Sequence, residues 1–138
     1  MDPSHHNDFA QFADEVARLR GRIRAPFIAT RRQTGLADME LTVLTAVVNA
    51  QQSPTVAQIG RSLGHPRQVV QRAANRLAEL GLIELGANPD HKRASLLLVT
   101  EAGSSLKAAD HQRSDAVVAA LTARIGSERF AKAVKQLR

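Results

Sequence analysis

The chain has 138 residues, a hydrophobic fraction of 43% and a charged fraction of 23%, the size and make-up of one ordinary globular domain rather than a disordered chain. It has no cysteine, which excludes disulfides, thiolate metal sites and thiol redox chemistry, and its apolar runs are too short for a membrane span. Lys and Arg number 19 against 13 Asp and Glu, a net charge of +6, which points to a polyanionic partner.

The start, Met1-Asp2-Pro3-Ser4-His5-His6, is polar and lacks the apolar stretch of a signal peptide, so the expected compartment is the cytoplasm and this segment is expected to be a floppy tail. Phe9, Phe12, Val16, Leu19 and Ile23 follow at spacings of 3, 4, 3 and 4, a two-heptad seam on a helix. A core-facing helix would suffice to explain it, but a strict seam with Phe so near a terminus favours a helix in a dimer. Pro26 kinks or ends that helix. A second helix is expected from about Asp38 to Ala50, with Leu41, Leu44, Val47 and Val48 on one face. Gln51-Gln52-Ser53-Pro54 is a loop, and Thr55-Val56-Ala57-Gln58 spells a capping box. It opens a short helix with Val56, Ile59 and Leu63 inward. Gly64-His65 makes a tight turn, and Pro66 is expected at the first position of the next helix, where its missing N–H is harmless. Val70, Ala73, Ala74, Leu77 and Leu80 form the buried stripe of that helix, and Gly81 ends it in a left-handed cap.

The period then changes. Leu82–Leu85 and Ala94–Val99 read as two strands, with Asn88-Pro89-Asp90 as the turn between them. Thr100 caps a long helix to about Ile125, broken at Gly126. Ser127 is expected to cap a last helix with Phe130, Val134 and Leu137 on one face. The expected fold is mostly α with a small two-stranded β-wing: a winged helix-turn-helix at about 36–103, flanked by dimerisation helices at about 8–34 and 104–138.

Charge placement names the partner. No Asp or Glu occurs from Leu41 through Ala78, a stretch that holds Arg61, Arg67, Arg72 and Arg76. Trp and Tyr are absent, and Phe9, Phe12, Phe27 and Phe130 all lie near the ends. A single-strand binder needs aromatic platforms for stacking, so the basic middle suits duplex DNA. With Val70, Ala73, Ala74 and Leu77 inward, the opposite face of the helix carries Arg67, Gln68, Gln71, Arg72 and Asn75, the side-chain types that pair bidentately with guanine and adenine edges. A merely solvated face would mix in acids, and the first acid here is Glu79 at the far end. Arg61, His65 and Arg76 beside this face, and Lys92 and Arg93 on the hairpin, complete the expected DNA contacts. The alternative is a winged helix used for protein–protein contact without DNA. It would want an acidic or apolar outer face instead.

These segments resemble the MarR family of bacterial transcription regulators. The resemblance is carried by Thr55–Gly64, by Arg67-Gln68-Val69-Val70-Gln71-Arg72, by Leu77-Ala78-Glu79-Leu80-Gly81-Leu82-Ile83, and most specifically by Asn88–Ala94 running into Val99-Thr100-Glu101-Ala102-Gly103. It implies a homodimer on a pseudo-palindromic operator, a recognition helix in each major groove, and wing tips with Lys92 and Arg93 in or beside a minor groove. It also implies a repressor whose small-molecule effector, bound between the dimer helices and the winged domain, changes the separation of the recognition helices. Two departures stand out. Where the family has an Asp two residues before the wing Arg, this chain has His91, with Asp90 adjacent as a possible brace. Where the family often caps the recognition helix with Ser or Thr, Pro66 stands, forgoing about 1 kcal/mol. The short C-terminal helix implies a smaller dimer interface.

Catalytic readings fail. Gly60-Arg61-Ser62-Leu63-Gly64 spells a hydrolase nucleophile elbow, but that motif needs a preceding strand in a large parallel sheet. The residues His5, His6, His65, His91 and His111 are expected to show no i, i+4 pairing with one another and no carboxylate at ligand spacing. Neither an enzyme, a metal nor a cofactor is expected. Arg18, Arg20, Arg22, Arg24, Arg31 and Arg32 fit a solvated face as well as a role in attracting DNA. The expected partners are double-stranded DNA, a second copy of the chain and a small-molecule effector, with no membrane.

Overall fold

The computed structural model describes residues 3–137, with side chains from Asn7 to Gln136. Helix α1 (Pro3–Arg24) runs into a 3-10 turn (Ala25–Phe27) and the short α2 (Ile28–Arg32). As expected of Pro26, α1 stops just before it, and the chain runs on through the 3-10 turn because Pro26 sits at the start of that turn, where no backbone donor is needed. His5 and His6 belong to the first turns of α1, not to a tail. α3 (Asp38–Asn49), α4 (Val56–Leu63) and α5 (Arg67–Glu79) follow, then strands β1 (Ile83–Gly86) and β2 (Leu96–Val99), α6 (Glu101–Ile125) and α7 (Ser127–Leu137). No described helix is long and apolar enough to cross a membrane.

The core lies where α3, α4, α5 and the hairpin meet. Val43, Leu44 and Val47 from α3, Val56 and Ile59 from α4, Val70, Ala73, Ala74 and Leu77 from α5, and Leu82, Ile83 and Leu97 close it. Val43 is fully buried although it lies off the expected stripe, whereas Val48 is only partly covered, because α3 is gripped on two sides. Leu63 is likewise partly buried. Leu80 departs further: it is 42% exposed. It is the C-cap of α5, and the chain turns away there through Gly81 at φ 72°. Gly81 N–H donates to the Ala78 carbonyl at 3.0 Å and Leu82 N–H to the Leu77 carbonyl at 2.9 Å, the paired bonds of a Schellman cap.

The hairpin pairs Ile83 with Val99 and Gly86 with Leu96, so Leu82, Ala94 and Ser95 fall outside the strands. Asn88-Pro89-Asp90 does not reverse the chain. Asp90 N–H donates to Asn88 Oδ1 at 3.0 Å, a local Asx turn. The reversal comes next, where Ala94 N–H donates to the His91 carbonyl at 3.2 Å across Lys92 and Arg93. The base of the wing is tied inward by Leu97 N–H to the Pro54 carbonyl at 2.8 Å, and by Thr100 N–H to the Leu82 carbonyl at 3.1 Å.

Thr100 caps α6 as expected, accepting from Gly103 N–H at 3.1 Å while its hydroxyl donates to the Gly81 carbonyl at 2.7 Å. Gly126, at φ 91°, separates α6 from α7, and Ser127 is the first residue of α7 rather than its cap. At the other end, Arg24 and Arg31 converge on Asp38 at 2.7 and 3.2 Å, joining α1 and α2 to the start of α3. The hydrogen bond from Arg31 is the main reason the Asp38 carboxyl is held below its usual 3.8. Asp110, 3% exposed, accepts from Lys107 at 2.7 Å, while its second oxygen and Arg113 Nε are buried without a partner.

Candidate nucleic-acid interface

The helix-turn-helix is built from two local devices. Thr55 Oγ1 accepts from Gln58 N–H at 3.2 Å and Gln58 Oε1 accepts from Thr55 N–H at 2.9 Å, a complete capping box that fixes where α4 begins. α4 ends at Gly64, at φ 68°, and His65 N–H returns to the Gly60 carbonyl at 3.0 Å. A Cβ on Gly60 would lie 3.0 Å from the His65 carbonyl oxygen. Glycine there lets the turn fold back tightly and sets α5 across α4.

Pro66 is the N-cap of α5, not its first helical residue. Its ψ of 140° is extended, and its carbonyl accepts from Val69 and Val70 N–H at 3.1 and 3.3 Å. No side chain caps this end. The N–H groups of Arg67 and Gln68 thus point out of the helix at its positive pole, the arrangement that receives anions.

The structure brings most of the expected side chains onto one surface. Arg67, Gln68, Gln71, Arg72 and Asn75 line a single shallow depression of about 420 Å3 on the outer face of α5. Gln71 Nε2 donates to Asn75 Oδ1 at 2.9 Å, so these two amides form a unit. Arg61, Arg67, His91 and Arg93 share a groove of about 740 Å3 between α4, the start of α5 and the wing. Arg67 lies at the junction of the two.

Other expected residues stand apart. Arg76, one turn beyond, is paired with Glu79 at 3.2 Å. Lys92 is exposed at the reversal and lines neither surface. His65 is half-buried in the turn. Asp90 lines the same groove as Arg93, but no ion pair joins the two among the described residues. His111 does have a carboxylate one turn away, Asp115 at 3.6 Å, contrary to expectation. Two exposed groups do not make a metal site, and among the described residues no group of three or more His, Asp or Glu is placed to hold a metal ion. The Gly60–Gly64 elbow sits on a helix end with no strand before it.

One residue on the flank of this surface escaped the sequence reading. Val69, in the first turn of α5, is 38% exposed. The signal was available, since a valine directly before the buried Val70 must lie on the flank of the helix.

The apolar seam of α1 is uncovered in the single chain. Phe9 and Phe12 are 70% and 61% exposed, and Val16, Leu19 and Ile23 are also exposed, as are Phe130 and Val134 of α7. The side chain of Leu137 lies outside the described residues.

A family model described as the MarR family matches residues 34–94. The uncharacterized protein Rv2011c of Mycobacterium tuberculosis is 34% identical over 108 residues, covering 78% of this chain and 74% of that protein. Among solved structures, a MarR-family transcriptional regulator from Rhodococcus sp. RHA1 superposes with a TM-score of 0.80 at 19% identity, over 93% of this chain and 90% of the other. CouR from Rhodococcus jostii RHA1, solved bound to p-coumaroyl-CoA, superposes with a TM-score of 0.77 at 19% identity, over 91% and 88%. With the family model on its winged segment and the same architecture from end to end, the chain belongs to the MarR family of winged-helix proteins.

Proposed function

We propose that this chain is a sequence-specific double-stranded DNA-binding transcription regulator of the cytoplasm, a repressor that acts as a homodimer on a pseudo-palindromic operator and responds to a small ligand. The observation that carries the reading is the outer face of α5. Arg67, Gln68, Gln71 and Arg72 share one open depression next to an uncapped helix N-terminus, with no acid among them. In a major groove, Arg pairs with guanine O6 and N7 and Gln with adenine N6 and N7. The free N–H groups of Arg67 and Gln68 suit a backbone phosphate. Arg61 and Arg93, facing the same groove as Arg67, continue the positive surface onto the wing.

Arg93 has no ion pair among the described residues. Its guanidinium is therefore available to a narrow minor groove, where a weakly hydrated cation enters readily. Lys92 contributes a phosphate contact. Asn75 acts through Gln71, which it orients, and Arg76 stays with Glu79.

Dimerisation uses the seam of α1 together with Phe130 and Val134, at about 8–34 and 104–138. Large apolar side chains exposed in register on a small chain are covered by a partner. Two half-sites about one helical turn apart demand a fixed spacing of the recognition helices. A ligand between the winged part and the dimer helices would alter that spacing, and CouR supplies the precedent of a ligand-bound protein of this fold.

The test is selection from random duplex DNA followed by titration of the enriched site. Gln68→Ala and Arg72→Ala should each weaken binding by about 1–3 kcal/mol and relax the choice at one or two base pairs. Lys92→Ala should lower the salt slope by about 0.9 per lost phosphate contact, counted once in each protomer. Equal losses on every sequence for Gln68→Ala and Arg72→Ala would refute the base-reading assignment, and no enriched sequence would refute the function.

A further inference from the structure

Within the reading of α5 as a major-groove helix, we propose that Val69 recognises the C5 methyl group of a thymine in each half-site, a specificity element additional to the polar pairs. Val69 is the third residue of α5, and its neighbour Val70 is completely buried. A step of 100° around the helix places Val69 on the flank of the exposed face, next to Gln68 and Arg72. It lines neither the depression shared by Arg67, Gln68, Gln71, Arg72 and Asn75 nor the groove beneath the wing. It is partly covered but keeps 38% of its surface open to solvent.

In helix propensity a β-branched side chain is worse than alanine at such a position, since its χ1 freedom is restricted there. What it offers is a stiff apolar surface at the end of α5 that meets base edges first. The four bases present one apolar group to the major groove, the thymine methyl, and small apolar side chains are its usual complement. The surrounding charge fixes the occupant as a polyanion. Arg67 and Arg72 flank Val69 in sequence, and no acid occurs from Leu41 through Ala78. A protein partner seeking an apolar anchor would meet one valine in a field of uncompensated arginines.

The experiment replaces each thymine of the selected operator, one at a time, by deoxyuridine, which removes only the methyl group. Binding is measured by fluorescence anisotropy for the wild type, Val69→Ala and Val69→Thr. One thymine per half-site should show a loss of about fourfold for the wild type, the worth of one buried methyl-sized group. The same change should leave Val69→Ala unaffected. Val69→Thr, which keeps one methyl, should retain part of the discrimination. Circular dichroism checks that the variants keep their helix content, which alanine favours. The inference is overturned if no thymine is sensitive, or if the sensitive thymine costs Val69→Ala the same factor. Absence of any duplex binding by the wild type would instead overturn the DNA reading beneath it, so the two failures are distinct.

Discussion

Gly103→Ala should be the most destabilising single-methyl change in the chain. Gly103 lies in the first turn of α6, where its N–H donates to the capping Thr100 at 3.1 Å. A Cβ there would fall on the Leu82 carbonyl oxygen and come within 3.0 Å of both the Leu82 carbonyl carbon and Val99 Cγ2. The obstacle is backbone, and that backbone is fixed. The same Leu82 carbonyl accepts from Thr100 N–H, the Thr100 hydroxyl donates to Gly81, and Leu82 N–H closes the cap of α5. The methyl can be housed only by moving α6 off this corner. Overpacking of this kind costs about 1–3 kcal/mol, and weakening the Thr100 cap adds about 1. Better helix propensity returns up to about 1 kcal/mol. The net expectation is about 1–4 kcal/mol, which for a chain of this length lowers the melting temperature by roughly 3–15 °C. Melting is measured at matched protein concentration, because the proposed dimerisation would make it concentration-dependent. Gly21→Ala is the control: a Cβ on Gly21 meets nothing within 4 Å, so that variant should melt at or slightly above the wild type. If Gly103→Ala also melts at or above the wild type, α6 does not sit against the turn as described.

Thr55→Ala removes the hydroxyl half of the capping box, the acceptor for Gln58 N–H, and leaves the bond from the backbone N–H of residue 55 to Gln58 Oε1; it should cost about 1 kcal/mol, read as a fall of about 3 °C in melting temperature with the fold retained. Asp38→Asn should lower stability at neutral pH, by an amount that shrinks as pH falls below the ordinary carboxylate range. The folded carboxyl, held down first by its hydrogen bond from Arg31, stabilises above its ordinary value of 3.8 and ceases to as pH falls through its lowered value; equal melting of variant and wild type at pH 7 would show the pair to be idle. Phe12→Glu places a charge in the α1 seam and should shift the chain from dimer to monomer in analytical ultracentrifugation at micromolar concentration; an unchanged sedimentation coefficient would exclude the seam from the interface.

The winged part was legible because its signals are local and agree with one another. Thr55 and Gln58 announce a helix start, Gly64 and Gly81 its ends, and Val70, Ala73, Ala74 and Leu77 a face, all of which the structure bears out. Errors arose where a local signal competed with geometry set elsewhere. Leu80 continues the spacing of Leu77, but the Schellman turn leaves it on the outside. Asn88-Pro89-Asp90 is a good turn sequence, yet the register from Ile83–Val99 to Gly86–Leu96 leaves 87–95 unpaired, and the chain reverses at 91–94. The clamp of Arg24 and Arg31 on Asp38 spans 14 and 7 residues, which no periodicity reveals. The demand for glycine at 103 comes chiefly from a carbonyl 21 positions earlier.

The two ends of α5 are built in opposite ways, and the difference bears on function. At its C-terminus, the carbonyls of Leu77 and Ala78 are taken by the Schellman cap, and Thr100 fastens the next residue, Gly81. At its N-terminus, Pro66 supplies a carbonyl to Val69 and Val70 but no side-chain acceptor for the first donors. A serine at this position would satisfy one of those donors and add about 1 kcal/mol. It would also occupy the positive pole with a group of the chain's own. The helix is thus anchored from behind, through the corner where Gly103 meets Leu82, and left open in front, where Arg67, Gln68 and Val69 stand. On the proposed function, that open end is where phosphate and base edges arrive, and rigidity supplied from the far end keeps the reading side chains in register without capping the surface they need.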